Sequence, residues 1–237
     1  MEKRTLVVKK IMKLFPNVPR EDDFAMWEIF KQERFISANN TDREAFLLKS
    51  ARYRYSYEAE TCFLERYFNI IPPHEYSRKS ILDLGCFTGG RLVFWKKKYG
   101  LGTACGIDIN PIFAEAGRLF ASEKNVSCHF AVGVGEELPY HENTFDFITS
   151  YDVFEHVRDV EKVLQECFRV LKPKGRLLVV FPAFYQPLEA HLGDVTRMPA
   201  LQWFFSGETI AKAAYEIVQE RGKDAYWYAY ESPNLKK

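Results

Sequence analysis

The segment Ile81-Leu-Asp-Leu-Gly-Cys-Phe-Thr-Gly-Gly90, followed by Gly106-Ile-Asp-Ile-Asn110, constrains the fold of this 237-residue chain more than any other feature. A short apolar strand runs into a glycine-rich turn, and a second strand ends on an acid. Glycines let backbone come close to a ligand. A carboxylate at Asp108 offers two acceptor oxygens to the two vicinal hydroxyls of a ribose. Taken alone, the pattern describes a nucleoside site and leaves its chemistry open.

The rest of the chain supplies the sheet that such a turn needs. Residues 1–76 show no strand alternation and read as helices, broken at Phe15-Pro16-Asn17-Val18-Pro19 and at Ile71-Pro72-Pro73. From Ser80 onward short apolar runs alternate with helical spacing. Strands are expected at Ile81–Leu84, Ala104–Asp108, Val126–Val132, Phe145–Ser150 and Arg176–Phe181. Helices are expected at Arg91–Tyr99, Pro111–Glu123 and Asp159–Leu171. This alternation predicts an α/β fold, a doubly wound and mostly parallel sheet, with an N-terminal helical extension. Ligands on such sheets sit beyond the carboxyl ends of the strands, where the glycines and acids fall. Three segments follow: 1–76 as helical extension and lid, 77–182 as α/β core, and 183–237 as substrate-side loop, helix and tail.

Composition excludes several classes. Apolar residues make up 47%, enough for a sizeable core, and the formal net charge of +1 provides no field for nucleic acid or acidic membranes. No DNA partner is expected. The five cysteines are scattered, odd in number and without a Cys-x-x-Cys, so free thiols in a reducing compartment are expected and no metal site. No apolar run approaches the roughly 18 to 20 residues of a spanning helix. Lysines interrupt the apolar residues of Met1–Phe15, which reads as a helix packed on the domain, and the expected location is cytoplasmic.

Asp83, two residues before the first glycine, begins to select the ligand. A carboxylate there faces a dinucleotide pyrophosphate unfavourably, whereas S-adenosylmethionine brings a sulfonium and an ammonium. Further segments are Gly133-Val-Gly-Glu-Glu-Leu-Pro-Tyr140, Asn143-Thr-Phe-Asp146, Glu155-His156 and Arg169-Val-Leu-Lys-Pro-Lys-Gly175. In this order and spacing they resemble the class I S-adenosylmethionine-dependent methyltransferases, nearest to the small-molecule and quinone-biosynthesis subgroup. The resemblance covers about residues 75–185. It implies S-adenosyl-L-methionine as cofactor and a small-molecule acceptor.

The resemblance also implies roles for individual residues. Asp83 takes the ammonium, and Gly85, Cys86, Gly89 and Gly90 form the turn that meets the methionine carboxylate. Asp108 takes the ribose and Ile109 packs on adenine. Gly135 N–H reads the ring and Glu136 or Glu137 takes its amino group; Tyr151 belongs to the cofactor site. Two departures stand out, Val134 at an acid's usual place and Phe87 at a glycine's. A general base is needed only where the acceptor must lose a proton. Candidates are Tyr151, Asp152, His156 and His191; His156 reads equally as a helix-start packing residue and His191 as a surface histidine. Arg54, Tyr55 and Tyr57, in Arg52-Tyr-Arg-Tyr-Ser-Tyr-Glu58, read as a lid or acceptor site together with Tyr185, or as a helix face packed on the sheet.

Rival readings are an enzyme acting on protein or RNA, and a non-catalytic cofactor-binding module. A nicotinamide dehydrogenase is disfavoured by Asp83 and by the Leu171-Lys-Pro-Lys-Gly175 turn. The family's sheet has seven strands, whereas five are expected here by Phe181, and only Ala225–Tyr230 beyond it has strand-like composition. The edge near strand five is therefore expected to be open, or shielded by Trp203, Phe204 and a helix over 207–221. Such an edge leaves room for a homodimer or a partner.

Overall fold

The computed structural model describes residues 2–17, 40–181, 187, 192 and 195–221. In chain order its elements are α1 (Glu2–Leu14), α2 (Asn40–Thr61), α3 (Phe63–Tyr67), β1 (Ser80–Leu84), α4 (Gly90–Tyr99), β2 (Thr103–Asp108), α5 (Pro111–Glu123), β3 (His129–Val132), β4 (Phe145–Tyr151), α6 (Val160–Val170), β5 (Leu171–Val180), α7 (Leu201–Phe204) and α8 (Gly207–Arg221). They fall into two compact units. One is Phe35–Phe181; the other joins Met1–Arg34 to Pro182–Lys237. The boundary expected at residue 76 lies inside the larger unit, since α2 packs on α4 and α5.

The larger unit is a five-stranded, wholly parallel sheet of order β3-β2-β1-β4-β5. β1 is central and buried along its whole length, as a strand covered on both faces must be. Alternate residues feed two cores. Ile81, Phe147 and Leu178 meet Trp95 of α4 and Phe120 of α5 on one face. Leu82, Leu84, Ile107 and Ile148 meet Val163, Cys167 and Val170 of α6 on the other. Strand order reverses between β1 and β4, so a crevice opens at their carboxyl ends, where Asp83 and Tyr151 lie.

Caps explain where the helices begin. Asn110 accepts from Ile112 N at 3.0 Å with Pro111 in the first turn of α5, and Asp159 accepts from Lys162 N at 3.0 Å at the start of α6. Two strands differ from expectation. β3 begins only at His129. β5 begins at Leu171, so the Lys-Pro-Lys-Gly stretch, expected as a turn, lies within it as an irregularity: pairing steps from Phe145↔Leu171 to Phe147↔Arg176. Asp146, at that step, accepts from Ser80 N at 2.9 Å, Ser80 Oγ at 2.7 Å and Lys172 Nζ at 2.8 Å. Burial opposes its ionisation, yet these partners hold its carboxyl well below the usual range. This motif acid ties the amino ends of β1 and β4 together, away from the crevice.

Gly90 fixes how α2 crosses the core. A Cβ there would lie 2.0 Å from the Ala51 carbonyl oxygen and 2.7 Å from Tyr55 N, both backbone atoms of α2. Gly90→Ala is expected to destabilise the protein by about 1–3 kcal/mol, because a helix rather than a flexible side chain must move. Urea unfolding reads the effect; an unchanged midpoint would show that α2 does not sit this close.

In the smaller unit, α1 packs on α8. Val8 and Met12 meet Ile210, Ala213, Ala214 and Ile217. Lys9 reaches Glu216 at 2.9 Å and Glu220 at 2.6 Å, and Lys13 also pairs with Glu220. Thr196 Oγ1 donates to Phe15 O at 2.8 Å, beside an isolated antiparallel bridge from Pro16 to Thr196. Among the described residues no helix is long and apolar enough to cross a membrane. The expected strand-like segment 225–230 lies outside the described residues.

Candidate cofactor and acceptor site

Asp83 is 1% exposed. Its Oδ1 accepts from Thr149 Oγ1 at 3.0 Å, and its buried Oδ2 has no hydrogen-bond partner. Burial pushes the carboxyl up to about 6, with Asp108 adding to the rise while Arg91 and Thr149 oppose it. Thr149 stands opposite Asp83 because parallel neighbours in register point to one face.

The turn between β1 and α4 is held from both sides. Gly85 has φ +74°, and a Cβ there would lie 2.2 Å from Val153 Cγ2, so only glycine fits. Gly85 N and Cys86 N both donate to Ile107 O, at 2.8 and 3.1 Å, and Gly89 N donates to Cys86 O at 3.1 Å. These amides, expected to meet a ligand carboxylate, are used within the protein. The glycines serve close chain packing. The Cys86 thiol is buried, and burial pushes it up, so it is an inert packing group.

Asp108 closes the turn. Its Oδ2 accepts from Phe87 N at 2.9 Å and its Oδ1 from Asn110 N at 3.0 Å. Burial raises its pKa, and these amides oppose the rise. Phe87 has φ 50°, the left-handed region that its glycine-like position demands. Its ring turns onto Phe113 at 4.3 Å. Ile109, next to Asp108, is 70% exposed, an apolar side chain open at the carboxyl end of β2.

The loop after β3 is latched to α6. Arg169 binds Glu166 through two 2.7 Å contacts and donates to Leu138 O at 2.9 Å and Tyr140 O at 2.8 Å. Glu136 Oε1 accepts from Arg158 N at 3.0 Å and Asp159 N at 3.4 Å, so one of its oxygens is held by the start of α6. Gly135 is buried against Val163 and Leu84.

A buried ionic group borders Asp83. Glu58 of α2 is 1% exposed; it accepts from Trp95 Nε1 at 2.6 Å and Phe63 N at 2.9 Å, and lies 3.8 Å from Arg91 Nε. Arg91 stands over the rings of Tyr151 at 4.8 Å, Phe63 at 5.0 Å and Trp95 at 5.8 Å. Glu58 and Arg91 were not singled out from the sequence. The available signal was spacing: Leu47, Ala51 and Glu58 fall on the buried stripe of α2, and a charge on such a stripe needs a partner.

The remaining expected residues separate. Arg54 has its guanidinium 4.9 Å from the Phe87 ring centroid. Tyr57 is exposed and stacks near Tyr53, with centroids 6.3 Å apart. Tyr55 instead turns into the core, with edge contacts to Phe94 at 5.4 Å and Phe120 at 5.6 Å. Tyr151 is walled by Arg91 and Phe63. After β4, Asp152 has φ 53° and is exposed, while His156 Nε2 lies 3.9 Å from Glu155 Oε1. Burial, helped by Asp152, pushes the Glu155 carboxyl up to about 7. Tyr185 and His191 lie outside the described residues.

Residues 82–179 match the family described as Methyltransferase domain. The chain is 30% identical over 155 residues to the ubiquinone/menaquinone biosynthesis C-methyltransferase UbiE of Idiomarina loihiensis, covering 64% of this chain and 58% of that protein. It is 34% identical over 119 residues to norajmaline N-methyltransferase of Rauvolfia serpentina, covering 48% and 40%. It is also 34% identical over 108 residues to a probable chloroplastic tocopherol O-methyltransferase of Oryza sativa subsp. japonica, covering 45% and 30%. The chain thus spans between 30% and 58% of the length of these curated relatives. Residues 82–179, which set Asp83 and Asp108 at the carboxyl edge of the sheet, are thus similar to a methyltransferase domain.

Proposed function

We propose that the chain transfers a methyl group from S-adenosylmethionine to a small-molecule acceptor. The observation that carries the reading is the buried Oδ2 of Asp83, without a protein partner at the crevice between β1 and β4. A buried carboxylate oxygen calls for a donor, preferably a cationic one, and the ammonium of the methionine moiety is such a group. A pyrophosphate at the same place would face a like charge.

In this reading Asp108 holds the ribose, since each carboxylate oxygen has a further lone pair beyond the amide it already accepts. Ile109 covers adenine, Gly135 N–H meets the ring, and the second oxygen of Glu136 takes the amino group. The cofactor, when bound, supplies an electrophilic methyl carbon on a sulfonium. The chain's contribution is mainly alignment of the acceptor with that carbon. Where the acceptor must lose a proton, His156 beside Glu155, Asp152 or His191 receives it.

The three relatives are named for methylation at oxygen, nitrogen and carbon. A shared core therefore accompanies different acceptor atoms, and we assign acceptor choice to segments outside it, including Arg54 and Tyr57 of α2. Five free thiols support a reducing, cytoplasmic setting. A metabolite library supplied with labelled S-adenosylmethionine tests the function. Transfer to a low-mass compound is expected. Labelling confined to protein or RNA would favour the macromolecular rival, and binding without any transfer would favour a non-catalytic module.

A further inference from the structure

We infer that the acceptor carries an anionic oxygen group, a carboxylate or phenolate on a planar frame, and that Arg54 is its docking point. The inference rests on the proposed function and goes beyond it by naming the acceptor's chemical class.

Arg54 projects from α2 to the glycine turn, where its guanidinium faces the Phe87 ring. Its Nε is buried without a hydrogen-bond partner, and no acid pairs with it among the described residues. Burial, with Arg91 adding, pushes the group down to about 10, so it remains charged at neutral pH. A half-buried guanidinium whose Nε is shielded from water, without a counter-charge, is unfavourable unless a ligand supplies one.

The neighbouring charges are already matched. Glu58 answers Arg91 at 3.8 Å. Asp83 is assigned to the cofactor's ammonium, and the amides opening α4 to its carboxylate. Arg54 is left over at the glycine turn, over the Phe87 ring and on the same helix as Tyr53 and Tyr57. Guanidinium groups bind carboxylates through paired donors, and flat rings accept flat partners.

Two sources can bring an anionic oxygen to Arg54: the acceptor, or the cofactor's own carboxylate. Calorimetry on the full chain separates them. S-adenosylhomocysteine is titrated into wild type, Arg54→Gln and Arg54→Lys; benzoate and benzamide are then titrated into the S-adenosylhomocysteine-saturated proteins. Circular dichroism verifies that each variant is folded, and the lysine variant keeps the charge. The expected result is S-adenosylhomocysteine affinity within about twofold across all three proteins. Benzoate is expected to bind wild type, at least tenfold more weakly to Arg54→Gln, with partial recovery in Arg54→Lys, and benzamide is not expected to bind. Equal binding of benzoate and benzamide, no benzoate binding to wild type, or equal benzoate affinity in Arg54→Gln overturns the inference. A loss of S-adenosylhomocysteine affinity in Arg54→Gln overturns it too, by assigning Arg54 to the cofactor's carboxylate. Failure of S-adenosylhomocysteine to bind wild type defeats the proposed function itself, and this inference with it.

Discussion

Asp83→Asn is expected to weaken S-adenosylhomocysteine binding by roughly 10- to 100-fold at pH 7.5, while making the ligand-free protein more stable. Hydrogen bonds to charged groups contribute about 1.5–3 kcal/mol, and the variant loses the charge that faces the ammonium. 5′-Methylthioadenosine, which has no amino-acid moiety, should bind both proteins alike. Stability moves the other way because the carboxyl is buried with one oxygen unpartnered. Its move from 3.8 to about 6 corresponds to about 3 kcal/mol. The sign follows from proton binding. Below the unfolded value the group is protonated in both states and carries no penalty. As pH rises toward 6 the unfolded chain ionises first, so wild type loses stability over that window. Asparagine removes the slope. Urea unfolding of the ligand-free proteins at pH 5 and pH 8 checks this; equal pH dependence in both would show that Asp83 is not held as described. Ligand affinity should follow the opposite course, with wild type binding S-adenosylhomocysteine more tightly as pH rises through 6.

Asp108→Ala should act differently. It removes the acceptor for ribose hydroxyls, so S-adenosylhomocysteine and 5′-methylthioadenosine should both weaken, by about 1–3 kcal/mol. It also leaves Phe87 N and Asn110 N without their carboxylate, releasing the left-handed Phe87 and the entry to α5. A lower unfolding midpoint should therefore accompany the loss of binding, in contrast to Asp83→Asn. Calorimetry with both ligands and thermal unfolding read the pair of effects. Retained affinity for 5′-methylthioadenosine in a folded Asp108→Ala protein would remove Asp108 from the ribose site.

Much of this architecture was legible because period and punctuation agree. Alternating apolar runs and helical spacing located all five described strands, and Asn110-Pro111 and Asp159 mark helix starts with a physical cap. The Lys-Pro-Lys-Gly stretch misled, since proline and glycine signal a turn while the chain absorbs them as an irregularity inside β5. Of the turn glycines, what could not be read was their purpose. A glycine that admits a ligand and one that admits the Ala51 carbonyl leave the same letter in the sequence. Tyr55 and Tyr57 are similarly alike in composition, and only the rotation of α2 sends one into the core and the other to the surface. Glu58 and Arg91 were missed because their pairing joins distant segments, which local spacing does not report.

Calorimetric titration of S-adenosylhomocysteine into the wild-type chain at pH 7.5 tests the cofactor site most directly. Saturable binding at one site per chain is expected, with a dissociation constant of roughly micromolar order, about 8 kcal/mol. Absence of saturable binding by folded protein at about 1 mM ligand, weaker than about 4 kcal/mol, would contradict it.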